Sequence, residues 1–139
     1  MSVVIDASIA IAWSLPDERS AMADATLGFI GEEGGVAPIF FKVETANVLE
    51  IGMRRGRIDE ALRDEIISDL QSLRLDFDLD SQSSAWTTVP ALARTHEISA
   101  YDATYLDVAL RRKLPLATLD RKLRRAATAA GVALFEPAT

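Results

Sequence analysis

The sequence contains no cysteine, which excludes disulfide bonds, cysteine-ligated zinc and cysteine nucleophiles. A single histidine, His96, excludes a histidine-rich metal site and argues against a Ser-His-Asp triad. No apolar run approaches the roughly 18 residues of a membrane-spanning helix. We also expect no secretory signal, because the first residues lack a basic segment and Asp6 interrupts the first apolar run. We therefore expect a cytoplasmic protein without a membrane partner.

Positive charge is also in short supply. The chain has 15 Lys and Arg against 21 Asp and Glu, a net charge of −6. This balance gives no overall attraction to nucleic acid and argues against a simple phosphate-binding module. It is compatible with carboxylates that hold metal ions, because bound cations reverse the local field. With 139 residues, of which 49% are hydrophobic, we expect one folded domain over 1–139.

Hydrophobic patterning predicts an α/β fold. Short strands are expected at 3–5, 36–39, 76–80, 114–120 and 132–135. Helices are expected after Ser8 as an N-cap, and over 21–30, 40–53, 59–73, 83–93, 100–112 and 121–130. The first strand is apolar without alternation, which is typical of a strand covered on both faces. We predict a three-layer α/β/α sandwich with a central, mainly parallel five-stranded sheet.

Four carboxylates are predicted to meet at one edge of this sheet. Asp6 ends the first strand, Glu44 and Asp102 lie in the first turns of helices, and Asp120 follows the fourth strand. In a parallel sheet all four lie at the carboxyl edge, where such folds build their sites. Each also has a simpler interpretation. Asp6 could start a turn, Glu44 and Asp102 could complement a helix dipole, and Asp120 could be an N-cap.

Converging carboxylates need protons or cations to offset their mutual repulsion. Mg²⁺ and Mn²⁺ prefer oxygen ligands, and Mg²⁺ is usually held by a few carboxylates together with waters and substrate phosphates. Two such ions, about 4 Å apart, can activate a water and stabilise the leaving oxygen of a phosphodiester. This chemistry needs neither cysteine nor histidine, the residues that the chain lacks or nearly lacks.

The segments 4–8, 44–47, 101–105 and 118–120 resemble the successive acidic motifs of the PIN-domain family. Chain length and motif spacing are similar to those of VapC-type toxins from toxin–antitoxin pairs. The resemblance covers essentially the whole chain. It implies an endoribonuclease that depends on one or two Mg or Mn ions and acts on RNA. It also implies a homodimer that a cognate VapB-type antitoxin protein holds inactive.

The resemblance also implies roles for individual residues. Asp6 and Asp102 match the main metal ligands, acting directly or through water. Glu44 would help to hold metal or orient the attacking water, and Asp120 would complete the shell of a second ion. Thr118 matches a hydroxyl residue that fixes a carboxylate or a water.

Three further polar residues lie in or near these motifs. Ser8 and Asn47 match supporting positions of the family, with helix capping or packing as the alternative for each. Asp107 is a departure, because these toxins often carry a small or apolar residue there. It lies about 140° around the helix from Asp102, so we expect it to be peripheral or solvent-facing.

Basic residues that could meet RNA phosphates occur in three clusters, at 54–57, 111–113 and 121–125. The first two lie at helix C-termini, where cations complement the dipole. The third lies at a helix start and follows Asp120 directly, so Arg121, Lys122 and Arg124 are the candidate phosphate contacts. The aromatic residues are expected in the core or at an interface, and His96 is expected to be a helix-end residue without a catalytic role.

Two other functional classes remain as alternatives at this point. A receiver-like signalling domain also gathers acids at strand ends, but it needs a lysine after the fifth strand, and 132–139 has none. A non-catalytic α/β binding domain would use the same acids as caps or as a regulatory ion site. A dinucleotide-binding domain is excluded, because the turn after the first strand lacks a glycine-rich motif.

Overall fold

The computed structural model describes residues 1–137, so residues 138 and 139 of the expected domain lie outside the described residues. The elements follow in chain order: β1 (Val3–Ile5), α1 (Ala7–Ser14), a 3₁₀ turn (Pro16–Glu18), α2 (Ala21–Glu33), β2 (Gly35–Pro38), α3 (Phe41–Arg54), α4 (Glu60–Ser72), β3 (Leu75–Asp78), a second 3₁₀ turn (Asp80–Gln82), α5 (Thr88–His96), α6 (Ala100–Arg112), β4 (Leu116–Ala117) and α7 (Arg121–Ala130). No helix among these residues is long and apolar enough to cross a membrane.

The sheet is parallel throughout and has the order β3-β2-β1-β4. The predicted α/β fold with a parallel sheet flanked by helices is therefore confirmed. The β1 residues Val3, Val4 and Ile5 are all fully buried, and β1 has a hydrogen-bonded neighbour on each side. Full burial of a Val or Ile side chain contributes about 1.5–3 kcal/mol. The central strand is thus a rigid support for whatever follows Ile5.

The predicted fifth strand is wrong, because within residues 1–137 the sheet has four strands. The stretch 132–135 contributes only one parallel bridge, between Leu116 and Leu134. Phe135 N donates to Leu116 O at 2.9 Å, but the ladder cannot continue along the chain. Pro137 has no N–H to donate. The carbonyl of Thr118, its partner in a continued ladder, instead accepts a hydrogen bond from Arg124 Nη1 at 3.1 Å.

The predicted helix over 83–93 begins later than expected, at Thr88. A helix starting at residue 83 would place Pro90 in its interior, where the ring removes a hydrogen bond and clashes with the preceding turn. A start at Thr88 places Pro90 in the first turn, where proline is tolerated. Trp86 lies in the turn before this helix and is 95% exposed, so it is not a core residue, and its expected alternative placement at an interface stays a prediction.

Helix caps explain most of the other boundaries. Asp59, Ser99 and Asp120 each accept a hydrogen bond from the backbone N–H three residues later, which is the usual arrangement of an N-cap. The prediction for the first helix is wrong, because its N-cap is Asp6 and not Ser8. Asp6 Oδ1 accepts from Ile9 N at 3.2 Å, and Ser8 lies inside the first turn.

Candidate active site

The carboxyl ends of β1 and β4 form the crevice at which the strand order reverses. β1 pairs with β2 on one side and with β4 on the other, and such switch points are where open α/β sheets bind ligands. Ile5 is in register with Ala117. The next residues along the two strands, Asp6 and Thr118, therefore lie side by side at the mouth of this crevice.

Asp6 is buried, with 4% of its surface exposed, and all its hydrogen-bond donors are neutral. Thr118 Oγ1 donates to Oδ2 at 2.5 Å, and Ser8 Oγ donates to Oδ1 at 2.6 Å. Burial raises the pKa of Asp6 to about 6, because desolvation outweighs these hydrogen bonds and the negative charge of Asp102 adds to the rise. The carboxylate is well oriented but electrostatically uncompensated.

Ser8 and Thr118 also connect the two loops of the crevice. Ser8 Oγ accepts a hydrogen bond from Leu119 N at 3.0 Å, and Thr118 Oγ1 accepts one from Asp120 N at 3.0 Å. Each hydroxyl therefore donates to Asp6 and accepts from the backbone of the loop after β4. This arrangement fixes the rotamer of the Asp6 side chain relative to Asp120.

Asp102 lies half-buried in the first turn of α6, and its backbone N–H donates to the cap Ser99 Oγ at 3.1 Å. Burial raises the pKa of Asp102, and the negative charges of Asp120 and Glu44 raise it further. The carboxylates of Asp120, Glu44 and Asp102 are thus close enough to repel one another, although they come from three different segments of the chain. This coupling brings Asp102 near Asp120 and Glu44, and the joint site of four acids stays a prediction.

Glu44 is held by a residue that the sequence reasoning did not single out. Tyr105 is 1% exposed, and its hydroxyl donates to Glu44 Oε1 at 2.6 Å. Burial and the adjacent Glu44 charge raise the pKa of Tyr105 well above its usual range, so the phenol remains a donor. A signal was present in the sequence, since Tyr105 follows Asp102 by three residues and shares its side of the helix.

Asp120 caps a helix and also lies near the other acids of the group. Its Oδ1 accepts from Leu123 N at 2.9 Å and caps α7. Within residues 1–137, Oδ2 has no hydrogen-bond partner, so this oxygen remains free to act as a ligand. Capping and membership of the site are therefore compatible for this residue.

Among residues 1–137, three other candidate residues form no hydrogen bond or ion pair with the four carboxylates. Asn47 is exposed on α3. Arg124 bonds Thr118 O and forms an ion pair with Glu136 at 2.6 Å, so it is not a free cation.

Asp107 is 1% exposed and accepts a hydrogen bond from Arg111 Nε at 3.0 Å. The expectation of a solvent-facing Asp107 is wrong, because the side of α6 turned away from Asp102 is also buried.

The donor set fits a hard divalent cation in its chemistry. The four acids supply only oxygen ligands, and within residues 1–137 none of them forms an ion pair with Lys, Arg or His. In that part of the chain, no three acidic or histidine side chains converge closely enough to hold one ion as they stand. An ion here would use few protein ligands and complete its coordination shell with water, as Mg²⁺ usually does.

The PIN-domain profile matches residues 3–129, a range that includes all four carboxylates. The chain belongs to the PIN-domain family. A curated relative, Ribonuclease VapC3 of Pyrobaculum aerophilum, is 30% identical over 123 residues, which cover 88% of this chain and 92% of the relative. The resemblance to VapC-type members that the motifs indicated is thereby confirmed.

Solved structures agree with this PIN assignment. The crystal structure of PAE2754 from Pyrobaculum aerophilum matches with a TM-score of 0.67 and 26% identity, covering 91% of this chain and 87% of that one. VapC20 of Mycobacterium tuberculosis, described as a toxin that cleaves the sarcin-ricin loop, matches with a TM-score of 0.63 over 97% of this chain and 99% of its own. At 17% identity, VapC20 supports the fold alone.

Proposed function

We propose that this PIN domain is a metal-dependent endoribonuclease, the toxin component of a toxin–antitoxin pair. The observation that carries the proposal is the buried, uncompensated Asp6 at the switch point of the sheet, coupled electrostatically to Asp102. Carboxylates whose environment disfavours ionisation are typical of functional sites rather than of structural ion pairs. The name of the relative Ribonuclease VapC3 supports the same class of reaction.

Asp6 and Asp102 would hold the Mg or Mn ion, directly or through water. Asp120 would use its free oxygen toward a second ion, and Glu44 would hold metal or orient the attacking water. When bound, the metal supplies an activated water and stabilises charge on the leaving oxygen of the RNA phosphodiester.

The remaining residues of the site act by positioning. Thr118 and Ser8 fix the Asp6 carboxylate through hydrogen bonds of 2.5 and 2.6 Å. Tyr105 fixes the Glu44 carboxylate from the other side of the site. Because these side chains are set before substrate arrives, little reorganisation is needed in the transition state.

The proposal also concerns partners. RNA phosphates would approach the exposed cations Arg121 and Lys122 at the start of α7, next to Asp120. Arg124, the third sequence candidate, is committed to Glu136 and to the Thr118 carbonyl and is the weakest of the three. A VapB-type antitoxin protein, homodimerisation and action in the cytoplasm complete the proposal for a VapC-type toxin.

The decisive experiment is RNA cleavage by purified protein with and without a chelator. We expect the chelator to abolish cleavage and Mg²⁺ or Mn²⁺ to restore it. Asp6→Asn and Asp102→Asn should each remove activity, whereas Asp69→Asn, which changes an exposed acid on α4, should leave it unchanged. Full cleavage by both Asp6→Asn and Asp102→Asn, or cleavage that resists chelation, would refute the proposal.

A further inference from the structure

A concave surface lies between the end of α5 and one face of α7. This cleft has a volume of about 470 Å³, and its lining consists of His96, Glu97, Lys122, Arg125, Ala126 and Ala129. Lys122 and Arg125 are three residues apart, which places them on the same face of α7. Neither forms an ion pair within residues 1–137.

The cleft begins close to Asp120, one of the four carboxylates. Asp120 is the N-cap of α7, and Lys122, two residues later in the first turn, lines the cleft. Arg125 lies about one turn further along the same helix. An RNA strand at the start of α7 can therefore extend over these two cations along the helix.

Arg124, a third cation of this helix, points away from the cleft. At about 100° per residue, Arg124 is about 200° around α7 from Lys122. Its guanidinium bonds Thr118 O and Glu136. Among the described residues, Arg124 thus holds the C-terminal segment in place, whereas Lys122 and Arg125, on the cleft side, have no ion-pair partner.

We propose that this cleft binds the backbone phosphates of the single-stranded RNA segment next to the scissile bond. Lys122 and Arg125 contact phosphate oxygens, and His96 donates from a ring N–H. Glu97 opposes binding from the cleft wall. This inference rests on the proposed ribonuclease function and extends it to substrate-binding residues, with Arg125 and His96 in place of Arg124.

The test is a salt titration of RNA binding. It uses the Asp6→Asn chain with a chelator present, so that RNA is bound but not cut, and short single-stranded RNA oligonucleotides of several sequences as probes. Adding Lys122→Gln and Arg125→Gln together should weaken binding of every oligonucleotide. The slope of log K against log salt concentration should fall by about 1.4, since each single-strand phosphate contact contributes about 0.7.

Two further variants distinguish RNA binding in the cleft from a nonspecific effect of positive charge on the surface. Arg54→Gln with Arg55→Gln removes the same charge from the end of α3, at exposed positions, and should leave the slope unchanged. Glu97→Gln should tighten RNA binding, an effect opposite in sign to that of the cation variants. Thermal unfolding of each variant checks that its fold is intact.

The inference is overturned if the cleft pair binds RNA with the slope of the parent chain, or if both pairs lower the slope equally. It is also overturned if the cleft pair keeps RNA binding but loses binding to a polyglutamate peptide, which would identify a protein-binding surface. Chelator-sensitive cleavage by the wild-type chain with unchanged RNA binding by the cleft pair refutes this inference alone. Absence of cleavage by the wild-type chain refutes the proposed function.

Discussion

Asp6 and Asp78 are both buried aspartates at the carboxyl ends of parallel strands, but only Asp78 has positively charged neighbours. Asp6 accepts hydrogen bonds only from hydroxyls and one backbone amide. Asp78 accepts from Arg111 Nη2 at 2.8 Å and from Arg112 Nε at 2.7 Å. Burial alone would raise both pKa values. The guanidinium hydrogen bonds instead lower the pKa of Asp78 to about 2, whereas the pKa of Asp6 rises to about 6.

The difference separates a structural carboxylate from a candidate functional one. Asp78, with Asp107 and Asp76, neutralises two arginines at the end of α6 and joins that helix to β3. Asp6 has no such partner, so its negative charge costs folding free energy until a cation arrives. Burial of an acid therefore does not identify a site, but burial without a countercharge does favour one.

The largest expected effect is on catalysis. Loss of an outer-shell partner at a metal site costs roughly 10–100-fold. Asp6→Asn should lower the rate of RNA cleavage by more than this, because it removes the ligand itself. Asp78→Asn should leave kcat/KM near wild type at a temperature where the variant is folded. Equal losses of kcat/KM in the two variants would contradict the proposal that Asp6 is functional and Asp78 structural.

The largest expected loss of stability belongs to Asp78. Asp78→Asn removes the buried carboxylate that two guanidinium groups share, leaving Arg111 with Asp107 and Arg112 with the exposed Asp76, and should lower the free energy of unfolding by about 3 kcal/mol. Asp76→Asn, which affects only an exposed ion pair with Arg112, should cost less than about 1 kcal/mol. Urea denaturation measures both. The contribution of Asp78 is present above pH 3.8 and is lost as the pH falls toward about 2.

The pH dependence of stability should have the opposite sign at Asp6. Its pKa is raised from 3.8 to about 6, so the folded chain holds this proton more tightly than the unfolded chain does. The free energy of unfolding attributable to Asp6 should therefore fall as the pH rises from 3.8 to about 6, by about 3 kcal/mol in total.

The comparison of wild type with Asp6→Asn isolates this contribution. We expect Asp6→Asn to be the more stable protein at neutral pH without metal, with the difference vanishing below pH 3.8. Denaturant titrations at several pH values measure it. A difference between the two proteins that does not change with pH would contradict the raised pKa.

A smaller effect is expected at Tyr105. Tyr105→Phe removes the 2.6 Å hydrogen bond to Glu44 while keeping the buried ring. The Mg²⁺ or Mn²⁺ concentration for half-maximal cleavage should rise about 10-fold, the lower end of outer-shell effects. Tyr101→Phe changes an exposed tyrosine on the same helix and should not alter it. Identical metal dependence in the two variants would show that Tyr105 contributes packing only.

The sequence was sufficient for features that depend on neighbouring residues. The apolar run of β1 predicted a buried central strand, and the position of Asp6 at its end followed from the pattern. Asp59, Ser99 and Asp120 were recognisable as caps, because a capping hydrogen bond joins residues only three apart. The order of the acidic motifs at 4–8, 44–47, 101–105 and 118–120 also carried the resemblance to the PIN-domain family.

Only the tertiary structure decided which charges are compensated. Asp78 and Asp107 were indistinguishable from the candidate site acids as residues, but arginines up to 34 positions along the chain neutralise Asp78. The bonds that orient the site join residues farther apart, 112 positions for Thr118 and Asp6 and 61 for Tyr105 and Glu44. The failed fifth strand depended partly on Pro137, which the sequence shows, and partly on Arg124, which bonds the Thr118 carbonyl only in the folded chain. Local patterns determine elements and caps, whereas desolvation and countercharge depend on what the folded chain places around each carboxylate.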